Sequence, residues 1–277
     1  MCATSQQSPV VPIKAGDATT PVFIAHGLSG TVQVKELARH IQTGHAIYGI
    51  QARGVDGLEI PLRHVEDMAE LYLPAVEALC PTGSCILIGY SFGGLVALEM
   101  SQRLLEKRKR VALLVMLDAY PHPRFMPFPW RMRMLGNRIK IHAREMRQMS
   151  PSGVIAHCSE VLNRRRRRSK AWRNTEAVPE TRGLSPEAAA LENVKEKAYV
   201  AYTSYRPRFY PGKITFVTTA QKTYFPSDPA AIWKHLAAGF EVETIPGNHL
   251  NIVTTEFHAL ADVLTRYLQQ VPAETAR

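Results

Sequence analysis

Gly89-Tyr90-Ser91-Phe92-Gly93 places a serine between two glycines in the pattern G-x-S-x-G. Such a pentapeptide is common by chance and gains meaning when a strand leads into it and a helix leaves it. Both contexts are legible. Cys85 to Gly89 is an apolar run bounded by turn residues, and Leu95 to Leu105 is rich in helix formers. A bend that tight projects the serine hydroxyl into a cleft, and the flanking glycines remove side chains that would collide. The helix N-terminus behind it, reached through Gly94, directs dipoles at developing negative charge. The bland alternative is a glycine-rich turn with a passive serine. The chemistry indicated is nucleophilic catalysis by Ser91.

A serine hydroxyl becomes a useful nucleophile when an imidazole takes its proton. Ten histidines are available. On an elbow of this kind the acid and then the histidine follow the serine, which excludes every histidine before Ser91. His249, in Gly247-Asn248-His249-Leu250, falls between the last predicted strand and the last predicted helix. Loops from separate strands converge at that sheet edge. His235 and His258 fall inside predicted helices, and His122, His142 and His157 lie in or beside a basic insert. The bland alternative for His249 is a loop histidine that caps a helix.

Two carboxylates are in reach. Asp118 ends a buried apolar run, where an ionised group needs a paired role to offset its desolvation. Asp228 lies between Ser227 and Pro229, as a helix N-cap would. Asp118 is favoured, holding the imidazole in one tautomer and stabilising the imidazolium. The candidate oxyanion donors are the backbone N–H groups of Phe92, after the nucleophile, and Leu28, after His26-Gly27.

These residues need a scaffold that brings distant segments to one edge. Val22 to Ala25, Ala46 to Ala52, Cys85 to Gly89, Val111 to Leu117, Ile214 to Thr219 and Phe240 to Ile245 read as strands. Val34 to Ile41, Val65 to Leu79, Leu95 to Leu105, Pro186 to about Tyr205, Pro229 to Ala237 and Phe257 to Leu268 read as helices. Alternation of apolar strands with helices predicts an α/β fold whose mostly parallel sheet is covered on both faces. Residues 1–20 read as an extended leader, with Pro9, Pro12 and Gly16, and no repeat is visible.

The chain has 277 residues, enough for one large α/β domain. Its 45% hydrophobic content excludes a disordered chain. No run of about 18 apolar residues is present to span a membrane, and residues 1–20 lack a signal-peptide pattern. Four scattered cysteines suit neither a disulfide framework nor a zinc site, so no metal and a reduced, cytoplasmic setting are expected. The net charge of +10 is concentrated. Residues 124–182 hold 15 of the 34 basic and 4 of the 24 acidic residues, leaving 19 against 20 elsewhere. The insert includes the run from Arg164 to Arg168. Insertions of this length in compact domains usually have a function such as a lid.

Pro21-Val22-Phe23-Ile24-Ala25-His26-Gly27, Pro81-Thr82-Gly83, Gly89-Tyr90-Ser91-Phe92-Gly93-Gly94, Leu117-Asp118 and Gly247-Asn248-His249 together resemble the thioesterase domains of polyketide and non-ribosomal peptide synthetases. The leader from Pro9 to Gly16 looks like the linker entering such domains. The likeness covers nearly the whole chain outside the insert. It implies an α/β-hydrolase fold over 21–277. It further implies release of an acyl or peptidyl chain, by hydrolysis or cyclisation, from a carrier protein's phosphopantetheine thioester. No further cofactor is expected. The resemblance also supports Asp118, since the family's acid lies on the strand after the nucleophile. Two departures stand out: the chain is expected to stand alone without synthetase modules upstream, and its insert is unusually basic.

In the resembled family the insert corresponds to a helical lid over an acyl channel, so Trp130, Met134 and Met146 are expected to line that channel. Trp130, Met134, Leu135, Ile139, His142, Met146 and Met149 recur at spacings of 3 or 4, which predicts one apolar face inward and a basic face outward. A basic outer face can be merely solvated, dock an acidic carrier protein, or meet an anionic membrane surface. No nucleic acid is expected, because the body has no other such signature. Two alternatives to a thioesterase are a carboxylesterase or lipase-like hydrolase with the same triad, and a non-catalytic module presenting the insert.

Overall fold

A computed structural model of the chain describes residues 8–30, 34–80, 83–147, 183–221 and 228–272, with five pairs of positions between 149 and 163. Seven strands form one sheet in the order β1-β3-β2-β4-β5-β6-β7. They are β1 (Val10–Lys14), β2 (Ala18–Ala25), β3 (His45–Ile50), β4 (Ser84–Tyr90), β5 (Arg110–Leu117), β6 (Tyr210–Gln221) and β7 (Ala237–Asn248). All neighbours run parallel except β1, which pairs antiparallel with β3. The described helices are α1 (Lys35–His40), α2 (Val65–Ala78), α3 (Phe92–Glu106), α4 (Phe128–Met146), α5 (Pro186–Ser204), α6 (Ala230–Trp233) and α7 (Phe257–Gln269).

The predicted architecture is the observed one: an α/β-hydrolase arrangement with helices on both faces. Along each strand successive side chains point to opposite faces, so one apolar run feeds two cores. Phe23, Ala25, Leu87, Met116 and Phe216 pack beneath α2, α3, α5 and α6. Val22, Ile24, Ile86, Ile88, Val115 and Val217 face α1 and α7. The spacing of Leu260, Ala261, Leu264 and Leu268 gives α7 the apolar stripe that covers the second core.

Three boundaries differ from expectation. The segment read as a leader is part of the sheet: Val10 pairs with Ile50, and Val10 is buried. Its Pro12 costs no central ladder bond because β1 lies at the edge. The helix expected from Pro229 to Ala237 is only one turn long, because Ala237 already starts β7 beside Tyr210. Finally, α3 begins immediately after Ser91, earlier than composition alone suggested.

Within the insert, α4 forms, but the expected single apolar face splits in two. Met134 is buried and Trp130 packs against the first core. Leu135 and Ile139 are 50% and 60% exposed, in line with Phe128 at 68% and Met132 at 48%. Positions 134 and 135 stand about 100° apart, so one can turn to the core and the other to solvent, and spacings of 3 and 4 alone do not tell one wide stripe from two. Met146 is half-buried. The side chain of His142 and the arginine run 164–168 lie outside the described residues. Among the described residues no helix is long and apolar enough to cross a membrane.

Candidate active site

The elbow is built by close approach. β4 delivers Ser91 to the carboxyl edge of the sheet, and α3 leaves at once with Ser91 as its N-cap. Ser91 has φ 54° and ψ −119°, a conformation that costs a non-glycine residue roughly 1–3 kcal/mol. A methyl group at Gly89 would lie 2.2 Å from the Gly93 carbonyl oxygen, and one at Gly93 would lie 2.4 Å from that of His26. Both glycines are therefore demanded by sterics. Ser91 N–H donates to the Leu117 carbonyl at 2.9 Å, which ties the elbow to the end of β5.

Asp118 follows β5 directly and is buried. It also has a positive φ, 45°, and its N–H donates to Val217 of β6 at 2.7 Å. Its two carboxylate oxygens face different partners. The Thr218 hydroxyl donates to Oδ1 at 3.1 Å, and His249 Nδ1 lies 2.8 Å from Oδ2. Ser91 Oγ lies 2.9 Å from His249 Nε2. A carboxylate only accepts, so Nδ1 carries the ring proton and Nε2 is left to accept from the serine hydroxyl. Residues 91, 118 and 249 thus form one hydrogen-bonded line that starts in the interior and ends at a half-buried hydroxyl. Such a line can take a proton from a nucleophile and return it to a leaving group.

The loop carrying His249 is held from several sides. Gly247 takes φ 93°, where a side chain would be strained and would press on Asn251. Asn251 Oδ1 accepts from Asn248 N–H at 2.6 Å, and Asn248 Oδ1 accepts from Leu250 N–H at 2.9 Å. The Tyr90 ring stacks on the His249 ring at 5.3 Å, and its hydroxyl donates to the His249 carbonyl. Burial, aided by the Asp118 charge, pushes the Tyr90 phenol up to about 12, so it keeps this proton throughout the neutral range. Sequence reasoning missed Tyr90 and Thr218. No signal marks Thr218, but Tyr90, inside the pentapeptide, was in view.

Asp228 is exposed and accepts from Ala231 N–H at 3.2 Å, the cap expected of it. The structure brings Asp118, not Asp228, to His249. Phe92 N–H is the first amide of α3 and has no acceptor within the helix. Leu28 follows Gly27, where an added methyl would sit 3.3 Å from the Tyr90 ring, so its loop lies against the elbow. His258 and His235 lie elsewhere, on α7 and in the turn after α6. Of the expected channel residues, Trp130 and Met134 turn toward the first core. Among the described residues no three His, Cys, Asp or Glu side chains converge as a metal site would need.

A family model described as a thioesterase domain matches residues 20–268. The dimodular nonribosomal peptide synthase of Bacillus subtilis (strain 168) is 35% identical over 119 residues, which are 43% of this chain and 5% of that protein. Polyketide synthase PksR of the same organism is 34% identical over 111 residues, 40% of this chain and 4% of that protein. The chain thus matches only a small fraction of these synthetases. Among solved structures, the thioesterase domain NocB, in covalent complex with a fluorophosphonate nocardicin G analogue, aligns over 94% of this chain and 99% of its own, with TM-score 0.63 and 20% identity. A four-domain nonribosomal peptide synthetase bound to AMP and glycine aligns over 96% of this chain and 20% of its own, with TM-score 0.68 and 21% identity. At such identities the structural likeness speaks for the fold.

Proposed function

The chain belongs to the thioesterase domain family, and from that premise we propose that it releases an acyl or peptidyl chain from a carrier protein's phosphopantetheine thioester through an acyl-enzyme at Ser91. The observation that carries this reading is the unbroken line from Ser91 Oγ to His249 to Asp118, at 2.9 and 2.8 Å. His249 Nε2 takes the hydroxyl proton as Oγ attacks the thioester carbonyl. The resulting oxyanion is met by the N–H groups of Leu28 and Phe92. Collapse breaks the C–S bond, and His249 returns its proton to the departing sulfur. Water, or a hydroxyl or amine within the bound chain, then attacks the Ser91 ester, with His249 again taking and returning the proton. The products are a free acid in the first case and a ring in the second.

The carrier protein is assigned to the outer face of α4. Phe128, Met132, Leu135 and Ile139 form an exposed stripe, and Arg131, Arg133, Lys140 and Arg147 are exposed around it. An acidic, amphipathic partner complements both features. Charge of this kind chiefly raises encounter rate and specificity.

The test is covalent. A fluorophosphonate should label Ser91, and incubation with acyl-carrier thioesters should give an acylated Ser91 peptide by mass spectrometry. Absence of both adducts on folded protein would overturn the assignment. Equal turnover of a matched oxygen ester would move the reading to a carboxylesterase. For docking, Arg131→Glu with Arg133→Glu should raise KM for carrier-bound substrate and leave a small thioester unaffected. Equal effects on both substrates would remove the docking face.

A further inference from the structure

His26, at the end of β2, is buried and lies outside the Ser91–His249–Asp118 line. Its Nδ1 is 2.7 Å from the Gly27 carbonyl oxygen, and its Nε2 is 3.1 Å from the hydroxyl of Tyr72 on α2. A carbonyl only accepts, so Nδ1 carries the proton, Nε2 is bare, and Tyr72 is the donor. Burial lowers the His26 pKa to about 4, against the opposing pull of the Gly27 bond, so the ring is neutral at working pH. Burial likewise raises the Tyr72 phenol above its ordinary range, while a backbone hydrogen bond from Arg53 reaches the same hydroxyl. The two rings meet edge-on at 6.1 Å.

The consequence falls on the next peptide. Gly27–Leu28 is trans and planar, so its carbonyl and its N–H point in opposite directions. His26 Nδ1 and the Gly30 N–H, at 3.1 Å, both hold that carbonyl. The Leu28 N–H is thereby turned away from His26, in a loop whose Gly27 packs on Tyr90 beside the nucleophile. We infer that His26 and Tyr72 are positioning residues that fix the Leu28 N–H as an oxyanion donor, Tyr72 acting through His26. Neither touches the substrate. The inference rests on the acyl-transfer reading of Ser91 and adds to it a fixed, buried relay from α2 to the oxyanion.

Three variants test it. Tyr72→Phe keeps the ring and its packing but removes the donated proton. His26→Asn keeps an N–H near the position of Nδ1, and His26→Leu removes it. In Tyr72→Phe and His26→Leu, kcat for an acyl-pantetheine thioester should fall about tenfold or more, with KM within about twofold, and His26→Asn should recover part of the loss. Affinity for an alkyl boronic acid, which forms a tetrahedral adduct on Ser91, should weaken in parallel. A purely structural role would lower Tm and leave boronate affinity of the folded protein unchanged, and that result would overturn the inference. So would unchanged kcat in Tyr72→Phe on an active wild type. A wild type with neither turnover nor Ser91 labelling would instead remove the reading beneath it, and this inference with it.

Discussion

Two buried carboxylates, Asp118 and Glu99, are held in opposite ways. Glu99 sits within α3 and faces cations: Arg103 Nε at 2.9 Å and Arg208 at 3.5 Å, with the Tyr205 hydroxyl at 3.0 Å. Guanidinium groups stay charged at any working pH, and the same two arginines reach on to Glu70 and Glu106, so the cluster is a network of fixed cations. Asp118 sits at positive φ and, among the described residues, hydrogen-bonds an imidazole and a hydroxyl. Its partner is an imidazole, and the line continues to the Ser91 hydroxyl. A buried acid paired with fixed charge fastens the fold, whereas one paired with a titratable ring can serve chemistry.

The sharpest break is at the end of the Asp118 line. Ser91→Ala should lower kcat by about 10⁶-fold with Tm unchanged, because the members act as a unit. Thioester hydrolysis and a thermal melt check both halves. Asp118→Asn should cost about 10⁴-fold in kcat by favouring the wrong tautomer of His249. Its Tm should hold or rise, since a buried charge at strained backbone is removed. Glu99→Gln inverts the pattern. It should cost about 1.5–3 kcal/mol in urea unfolding, because Arg103 and Arg208 lose the buried carboxylate and keep only the exposed Glu70 and Glu106, while the folded protein keeps its kcat. If Glu99→Gln abolished turnover in folded protein, the contrast between the two acids would collapse.

A smaller effect concerns pH. His26 has a folded pKa of about 4, below its ordinary value of 6.5. The unfolded chain therefore binds the proton first, and stability rises with pH between those values. The contribution, about 3 kcal/mol, should be complete above pH 6.5, decline as pH falls, and level off below pH 4. Comparing urea midpoints of wild type and His26→Asn across that window isolates it, and parallel curves would contradict it. Smallest of all, Asp228→Asn should change stability by less than about 0.5 kcal/mol and leave kcat unaltered, since asparagine caps as well as aspartate.

Much of this site was readable before any coordinates. The elbow announces itself because a strand, two obligatory glycines and a helix lie within a few residues. His249 follows from chain order and from its place between a strand and a helix. The split of α4 into two apolar stripes was not readable, because residues 3 and 4 apart satisfy one face or two until something packs against them. Nor was the sheet role of Val10 to Lys14, a short edge strand whose partner β3 lies more than 30 residues away. The partnership of His26 with Tyr72 joins residues 46 apart on a strand end and a helix, and no local pattern encodes it.

The amino-acid order by itself determined the alternation of strands and helices, the parallel sheet, the serine elbow and the loops that meet it. Those properties depend on turn chemistry and side-chain period, which act between near neighbours. Local pattern favoured Asp118 over Asp228, but the tertiary structure alone brought it to the imidazole. Asp118 leaves β5 beside β6, where Val217 and Thr218 receive it, while Asp228 is spent capping a single helical turn. Contact between groups 131 residues apart is set by strand order and register, and those exist only once the sheet has formed.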